Sequence, residues 1–534
     1  MKADYVIVGG GSAGCVLAAR LSEDPSVSVI LIEAGGNGRD FLVSMPAGYG
    51  RTVKQFGHSW HYHSAPEPGL GGRTMLVPRG RGLGGSSNIN GLIYVRGQAE
   101  DYDSWSNLGA IGWGWADVAP LFRRAEHFAG GGSDMRGGSG PLRVEEVVHR
   151  DPTNDAVLAG FAELGVPATA DYNGADQHGA FYYQTTIHDG RRCSAADAYL
   201  RPVFNRPNLT VLTGHLARRV AMESRRAVGV EVAGPGGNQI VSATREVVLA
   251  AGTYHSPKLL MLSGIGPAAD LAAMGITPLH DSPQVGANLQ DHFILTMCWR
   301  LRDDAFSFNR ELSGFGLVRN MINYLVRRRG AMTIPAAQTG AFVKSDPVLD
   351  RPDLQFHCLP VSGDLGAAAD GGEVSLSPWP GLTLAPCVLR PESRGHVRLA
   401  SADPEAVPHI VHNYLTAEHD CRLSVQAMRL ARALAATAPL AALGAVEQWP
   451  GDQCANDAAL LDHARRYGNT GYHPVGTCRM GIDDNAVLDP QLRVRGVTGL
   501  RVADASIMPR LVSGNTNAAA IMIGEKAADL LRAR

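Results

Sequence analysis

Paired cysteines are missing from this sequence. The eight it has (Cys15, Cys193, Cys298, Cys358, Cys387, Cys421, Cys454 and Cys478) are scattered, and none stands in a CxxC motif. In a chain this long the pattern points to reduced thiols in the cytosol rather than to a disulfide framework. A charge bias is lacking too: 49 Lys and Arg face 51 Asp and Glu, giving a net charge of −2 without any long like-charge run. There is thus no electrostatic basis for binding nucleic acid. No apolar run reaches the length of a bilayer span, and the opening MKADYVIVGG enters a strand without the apolar core of a signal peptide. These absences imply a cytoplasmic protein without a transmembrane segment, with peripheral contact to the inner membrane left open. Internal repeats are absent as well, and low complexity is confined to AGGGSDMRGGSGP (129–141), a loop or domain joint.

Glycine and proline, by contrast, are plentiful: 63 and 31 residues. Such numbers imply many tight turns or close backbone approaches to a ligand. With 534 residues the chain exceeds one ordinary core, and two to four domains are expected. The first of them starts clearly. DYVIVGGGSAGCVLAARLSEDPSVSVILIEAGG reads as strand (Tyr5–Val8), glycine turn, helix, then a second strand (Val27–Ile32). Gly9, Gly11 and Gly14 make G-x-G-x-x-G between strand and helix, and Glu33 closes the next strand. The glycines, with Ser12 and Ala13 between them, let the backbone approach a pyrophosphate at the helix N-terminus. Glu33, followed by Ala34, can accept hydrogen bonds from a ribose 2′-OH. A glutamate there disfavours NADP; the motif alone does not separate NAD from FAD.

Farther along, a helical and aromatic region is expected over 99–128. Strands are expected at 208–213, 227–232 and 245–250. In AGTYHSPKLLMLSGIG, Ser256 before Pro257 predicts an N-cap and a helix start. Residues 290–445 mix strand patterns (LQFHCL, LTLAPCVL, HVRLAS) with helical stretches at 314–329 and 417–439, and 516–533 reads as a final helix. The stretch 79–97, RGRGLGGSSNINGLIYVRG, joins glycines, small hydroxyls and asparagines in a way that suits backbone pressed against a flat ring. His473, in GYHPVGTCRMG, is open to three readings on its own: core histidine, metal ligand or base. HSWHYH (His58, His61, His63) looks like a metal cluster, yet no carboxylate or cysteine follows at ligand spacing; it reads as structural or channel-lining.

Taken together, residues 4–35, 79–97, 251–266 and 471–524, with VGANLQDH (285–292) and RPESRGHVRL (390–399), resemble the glucose–methanol–choline oxidoreductase family of flavoproteins. The look is nearest to bacterial choline, polyethylene-glycol and sorbose dehydrogenase-like members. The resemblance implies a mixed α/β and α+β fold: a discontinuous Rossmann-like FAD domain (1–150, 190–290 and 450–534) and an antiparallel-sheet-plus-helix substrate domain (151–189 and 291–449). It implies that the first fingerprint holds the ADP part of FAD. Gly84, Gly85, Ser86, Asn90 and Gly91 would lie along the isoalloxazine, while Ala251, Gly252, Asp504, Ala505 and Asn517 complete the cofactor site. Some members attach FAD through a histidine of the 79–97 loop; Ile89 stands at that place, which implies non-covalent FAD.

The same resemblance gives His473 the role of catalytic base, with Asn515 completing the pair and Tyr472 beside the substrate. An imidazole with its ordinary pKa of ~6.5 suits taking a hydroxyl proton at neutral pH. Gln338 is expected where choline-type members carry a glutamate facing the trimethylammonium group, which argues for a neutral alcohol or polyol. The expected reaction is oxidation of that alcohol to aldehyde or ketone by hydride transfer to flavin N5. No metal is implied, and the electron acceptor is a quinone, another protein or oxygen. Four rivals stand beside this: choline dehydrogenase, a non-redox hydroxynitrile lyase on the same scaffold, an NAD-dependent dehydrogenase and a non-catalytic binding module. NAD use would explain only residues 4–35, and a non-catalytic binding module would leave His473 and Asn515 without a role.

Overall fold

The computed structural model describes residues 1–363 and 375–533. It opens with strand β1 (Lys2–Val8), helix α1 (Ser12–Leu21) and strand β2 (Val29–Ile32). The apolar run Tyr5–Val8 is buried throughout because β1 lies inside a sheet covered on both faces. That sheet has seven strands. Its order is Leu209–Leu212, β2, β1, Gly237–Leu249, Arg226–Gly234, Leu216–Glu223, with Leu500–Val502 joining beside residues 247–249. Pairings among the first four strands and with Leu500–Val502 are parallel; the other two make an antiparallel meander.

A parallel sheet needs crossovers, and the dinucleotide turn is the first of them. Gly9 has φ +104°, and Gly14 is pressed so close that a Cβ there would sit 1.9 Å from the Gly9 carbonyl oxygen. Helix α1 is then clamped by the helix Asn517–Arg532. The fully buried Glu525 accepts hydrogen bonds from Arg20, Arg124 and Tyr199. Ser12 Oγ donates to Asn517 Oδ1 at 2.7 Å. One end of the sequence thereby fixes the other.

The second sheet has eight strands, all paired antiparallel. Its main path runs Val446–Trp449, Met297–Arg300, Gly381–Val388, Leu354–Leu359, Thr339–Val343, Gly179–Tyr182. Phe293–Ile294 and Asn469–Thr470 pair beside it. The helices Pro152–Glu163, Glu418–Ala435 and Asp457–Tyr467 share its core, in which Trp299, Phe356, Leu384, Met428 and Leu460 are buried. Residues 457–470 therefore pack with this second sheet, although the sequence reading grouped them with the first.

One local expectation is corrected. Ser256 does not cap its helix, which spans His255–Leu262 with Tyr254 at the cap position. The Ser256 hydroxyl instead donates to Asp504 Oδ2 at 2.5 Å and accepts from the Ala251 amide. The helical, aromatic region 99–128 holds two helices, Ala99–Asn107 and Trp115–Ala125. Among the described residues, no helix is long and apolar enough to cross a membrane, and all eight cysteines are free.

Candidate active site

A cavity of about 680 Å³ runs between the two sheets. Its walls at one end are Gly9, Gly11, Ser12, Ala13, Glu33 and Ala34; along its length stand Gly85, Ser86, Asn90, Gly91, Ala251, Gly252, Asp504, Ala505 and Asn517. At the other end His473, Asn515, Tyr472 and His357 face the same space. Three of the expected site residues do not border it. Gly14 and Gly84 stand behind the wall, where they shape it: Gly14 lets α1 approach β1, and the Gly84 amide donates to the Gly10 carbonyl at 2.7 Å. Gln338 is fully buried elsewhere. Its Oε1 accepts from Asn154 Nδ2 and its Nε2 donates to the His149 carbonyl, both at 2.9 Å, so its polar atoms hold the Pro152–Glu163 helix to the second sheet.

The glycine end is shaped for a ligand. Gly11 has ordinary extended backbone, and a Cβ on it would meet nothing nearer than 4.0 Å. Packing within the protein therefore does not call for glycine at this position. What an added methyl would fill is the cavity itself, in front of the first turn of α1, whose cap carries no side-chain hydrogen bond. That is the room an extended pyrophosphate needs at a helix N-terminus. Beside it the Glu33 carboxylate is held rigidly by the amides of Gly10, Gly35 and Gly82 at 2.8–2.9 Å. Asp504 similarly ties together the Gly252 amide, Ser256 and Ser506.

The far end is built on hydrogen bonds of fixed direction. Residues 289–294 run beside 469–475, and the Gly471 amide donates to the His292 carbonyl at 2.6 Å. Asp291 is buried and accepts from the His473 amide (2.7 Å), Thr470 Oγ1 (2.6 Å) and Tyr414 OH (2.5 Å). Tyr472, in the left-handed region at φ +62°, turns the chain so that the His473 ring enters the cavity. His292 Nε2 lies 2.9 Å from the Leu389 carbonyl. A carbonyl only accepts, so this nitrogen carries hydrogen. Burial lowers the pKa of His292, keeping the ring neutral. Its Nδ1 therefore accepts, and His473 Nδ1, 2.9 Å away, must donate to it. The lone pair of His473 is thus left on Nε2, facing Asn515 Nδ2 at 3.1 Å. Gln355 Nε2 fixes the Asn515 amide by donating to its Oδ1 at 3.2 Å.

Burial first, then the like charges of His292, His357 and Arg79, hold the pKa of His473 well below the ordinary histidine value. Its neutrality is therefore built in rather than balanced near pH 6.5. His357 is pushed down to about 4, again mainly by burial. Sequence reasoning missed His292, His357 and Gln355. The last two share one face of the otherwise apolar strand LQFHCL, a pattern that could have marked them. In HSWHYH it is Trp60 and Tyr62, not the histidines, that line the cavity. Among the described residues no three His, Cys, Asp or Glu side chains converge as metal ligands.

A parallel sheet with a dinucleotide cradle, opening at its far end on a neutral, oriented histidine, defines an oxidoreductase that works through a bound dinucleotide cofactor. The chain belongs to the GMC oxidoreductase family, whose models match residues 3–294 and 391–524. It is 41% identical, over 100% of its length and 96% of the relative's, to an oxygen-dependent choline dehydrogenase of Brucella ovis. It is 42% identical to that of Rhizobium etli, over 99% of this chain and 95% of that one. Among solved structures, pyridoxine 4-oxidase from Mesorbium loti matches with TM-score 0.89 and 33% identity, covering 100% and 99% of the two chains. Formate oxidase of Aspergillus oryzae matches with TM-score 0.91 and 27% identity, covering 100% and 98%. The protein is thus an FAD-dependent enzyme that oxidises an alcohol.

The two glycines separate fold from cofactor. Gly14→Ala drives a methyl into backbone and should give unfolded or aggregated protein. Gly11→Ala should fold with an unchanged circular dichroism spectrum but bind FAD at least tenfold more weakly, as followed by flavin fluorescence quenching. Equal FAD affinity in Gly11→Ala would contradict this account of the cradle.

Proposed function

We propose that His473 is the base that takes the hydroxyl proton of the alcohol, with Asn515 orienting its oxygen. The single observation that carries this reading is the directed chain Leu389 carbonyl, His292, His473, Asn515, which leaves a lone pair on His473 Nε2 at the cavity. An entering hydroxyl donates to Nε2 and accepts from Asn515 Nδ2, so its proton and its oxygen are held by different groups. FAD, when bound, supplies the hydride acceptor. The chain's own share is to hold the alcohol, to accept the proton at Nε2, and to stabilise the resulting imidazolium through Nδ1–H and His292.

For the substrate we infer a neutral alcohol or polyol. Gln338 no longer supports this, since it does not reach the cavity. Other features do. Of the groups that lower the pKa of His473, Arg79 brings a standing positive charge, while burial keeps His292 and His357 neutral. The faces of Trp60 and Tyr254 in the cavity wall already carry guanidinium groups, Arg81 at 4.6 Å and Arg79 at 5.8 Å. A quaternary ammonium would find these faces taken and would meet like charge. Choline oxidation is the second reading, favoured by the full-length similarity to choline dehydrogenases. Oxygen, a quinone or another protein serves as the electron acceptor, oxygen having the support of those relatives' name.

Three outcomes test these assignments. Acid precipitation should release the flavin into the supernatant, because Ile89 offers no nucleophile for a covalent link; colour held in the pellet would refute non-covalent binding. In a substrate panel, kcat/KM for choline should lie on the order of 100-fold below that of the best neutral alcohol of similar size. Equality of the two would favour choline dehydrogenase.

His473→Ala should keep the fold and FAD while anaerobic flavin reduction by alcohol slows by roughly 10²–10⁴, and Asn515→Ala should lose less. Because protonation of Nε2 is disfavoured by burial, the wild-type rate should stay level from pH 9 down through pH 6.5. It should fall only at more acidic pH, as a proton enters the ring. Stopped-flow bleaching across pH decides the matter: an unslowed His473→Ala enzyme would return His473 to core packing.

A further inference from the structure

The helix Gly314–Arg327 leaves one face uncovered. Its inward side is conventional: Leu317, Met321 and Tyr324 pack on Met45, Phe308 and Met332 in a small apolar cluster. The outward side is not. Phe315, Val318, Ile322, Leu325 and Val326 fall within about 100° of arc on a 3.6-residue helix. All five are exposed, Phe315 by 81% and Val326 by 75%. Scattered surface apolar residues need no explanation, but five on one helical stripe do.

The C-terminal end of this stripe is basic, while Glu311 at the other end holds Arg319 at 2.6 Å and Asp189 precedes the neighbouring turn. Between Glu311 and Asp346 the sequence has no acidic residue, yet it holds Arg319, Arg327, Arg328, Arg329 and Lys344. Arg327, Arg328 and Arg329 are exposed, and none has an ion-pair partner among the described residues. The turn at 190–192 abuts the same place, since a Cβ on Gly190 would lie 2.2 Å from the Arg328 carbonyl oxygen; Arg191, exposed, adds a further cation. The cluster beneath the stripe, on the inner side of the helix, adjoins the segment that lines the cavity. Leu42, Met45 and Ala47 join that cluster, and the next residues of their segment, Tyr49, Gly50 and Val53, line the cavity.

We propose that this face docks on a lipid bilayer bearing anionic headgroups, with the helix lying in the interface and the arginines among the phosphates. Apolar residues on the outer stripe and cations at its end are the two attractions that hold an interfacial helix on such a surface. A second copy of this chain is the weaker occupant: a two-fold contact that ran the stripes antiparallel would set Arg327, Arg328 and Arg329 against the 311–315 end, where Glu311 is already held by Arg319. Docking here leaves one helix and the small cluster beneath it between the bilayer and the segment that lines the cavity. The flavin site is then within reach of lipid-soluble alcohols or electron acceptors, in keeping with the proposed reaction but not dependent on which residue is its base.

The test is sedimentation of the FAD-loaded full chain with vesicles of phosphatidylcholine alone or mixed with phosphatidylglycerol. Binding is expected to the mixed vesicles and to weaken with added salt. Phe315→Ser/Ile322→Ser and, separately, Arg327→Gln/Arg329→Gln should each reduce binding about tenfold or more. Turnover of a small water-soluble alcohol should be unchanged in both variants, which reports that they fold. Analytical ultracentrifugation without vesicles supplies the alternative outcome. A dimer that Phe315→Ser/Ile322→Ser dissociates would assign the face to a second copy and overturn the proposal. Failure to bind mixed vesicles, or binding that neither variant weakens, would overturn it too.

Discussion

At the reactive end of the cavity, proton positions follow from one backbone carbonyl. The oxygen of Leu389 cannot donate, and from that restriction the hydrogens of His292, then His473, are fixed in turn. Two imidazoles in contact would otherwise share several tautomeric arrangements of similar energy. Burial removes the charged states from that set, because the hydration an imidazolium would lose there outweighs the pull of Asp291 on His292. What remains is one arrangement, with the basic nitrogen turned toward the cavity. Geometry and electrostatics thus act on the same atom.

Neither sheet could supply this by itself. Leu389 follows directly on a strand of the antiparallel sheet, His292 precedes another, and His473 follows Asn469–Thr470. Asn515 comes from the approach to the helix that locks onto α1, on the other sheet. Asp291 joins the pieces by gathering the His473 amide, Thr470 and Tyr414. A buried carboxylate with several donors is a rigid joint, since releasing any donor would leave the charge less well satisfied. The spacing between base and amide is therefore set by the union of the two sheets, not by a flexible loop.

Legibility in the sequence followed the range of the interactions. The βαβ unit could be read because Gly9, Gly11, Gly14 and Glu33 act within one local turn, and some strands of each sheet, among them Leu209–Leu212, Leu354–Leu359 and Gly381–Val388, announced themselves by apolar runs, whereas Leu216–Glu223, Met297–Arg300 and Thr339–Val343 did not. Ser256 misled for the opposite reason. Ser-Pro is a sound local cap signal, but a carboxylate 248 residues away takes the hydroxyl. Gln338 failed similarly, its partner Asn154 lying 184 residues distant. Likewise the His292–His473 contact spans 181 residues, so the quoted LQDH motif carried a histidine whose use no local pattern could state. His473 itself was placed by resemblance. Its neutrality well below pH 6.5 came only from knowing what surrounds the ring.

The clamp between α1 and the helix Asn517–Arg532 bears on how such a protein is made. Ser12 and Asn517 meet across 505 residues. A ribosome delivers the glycine turn early, and domains emerging first can begin to fold at once. The opposite wall of the cradle, from Asp504 through Asn517, arrives only after the whole second sheet has been synthesised. Until then the half-buried Arg20 of α1 lacks the buried carboxylate of Glu525, and the nascent cradle stands open on one side. Flavin insertion is accordingly a late event that coincides with closure of the chain on itself, and cellular supply of the cofactor matters most at that moment.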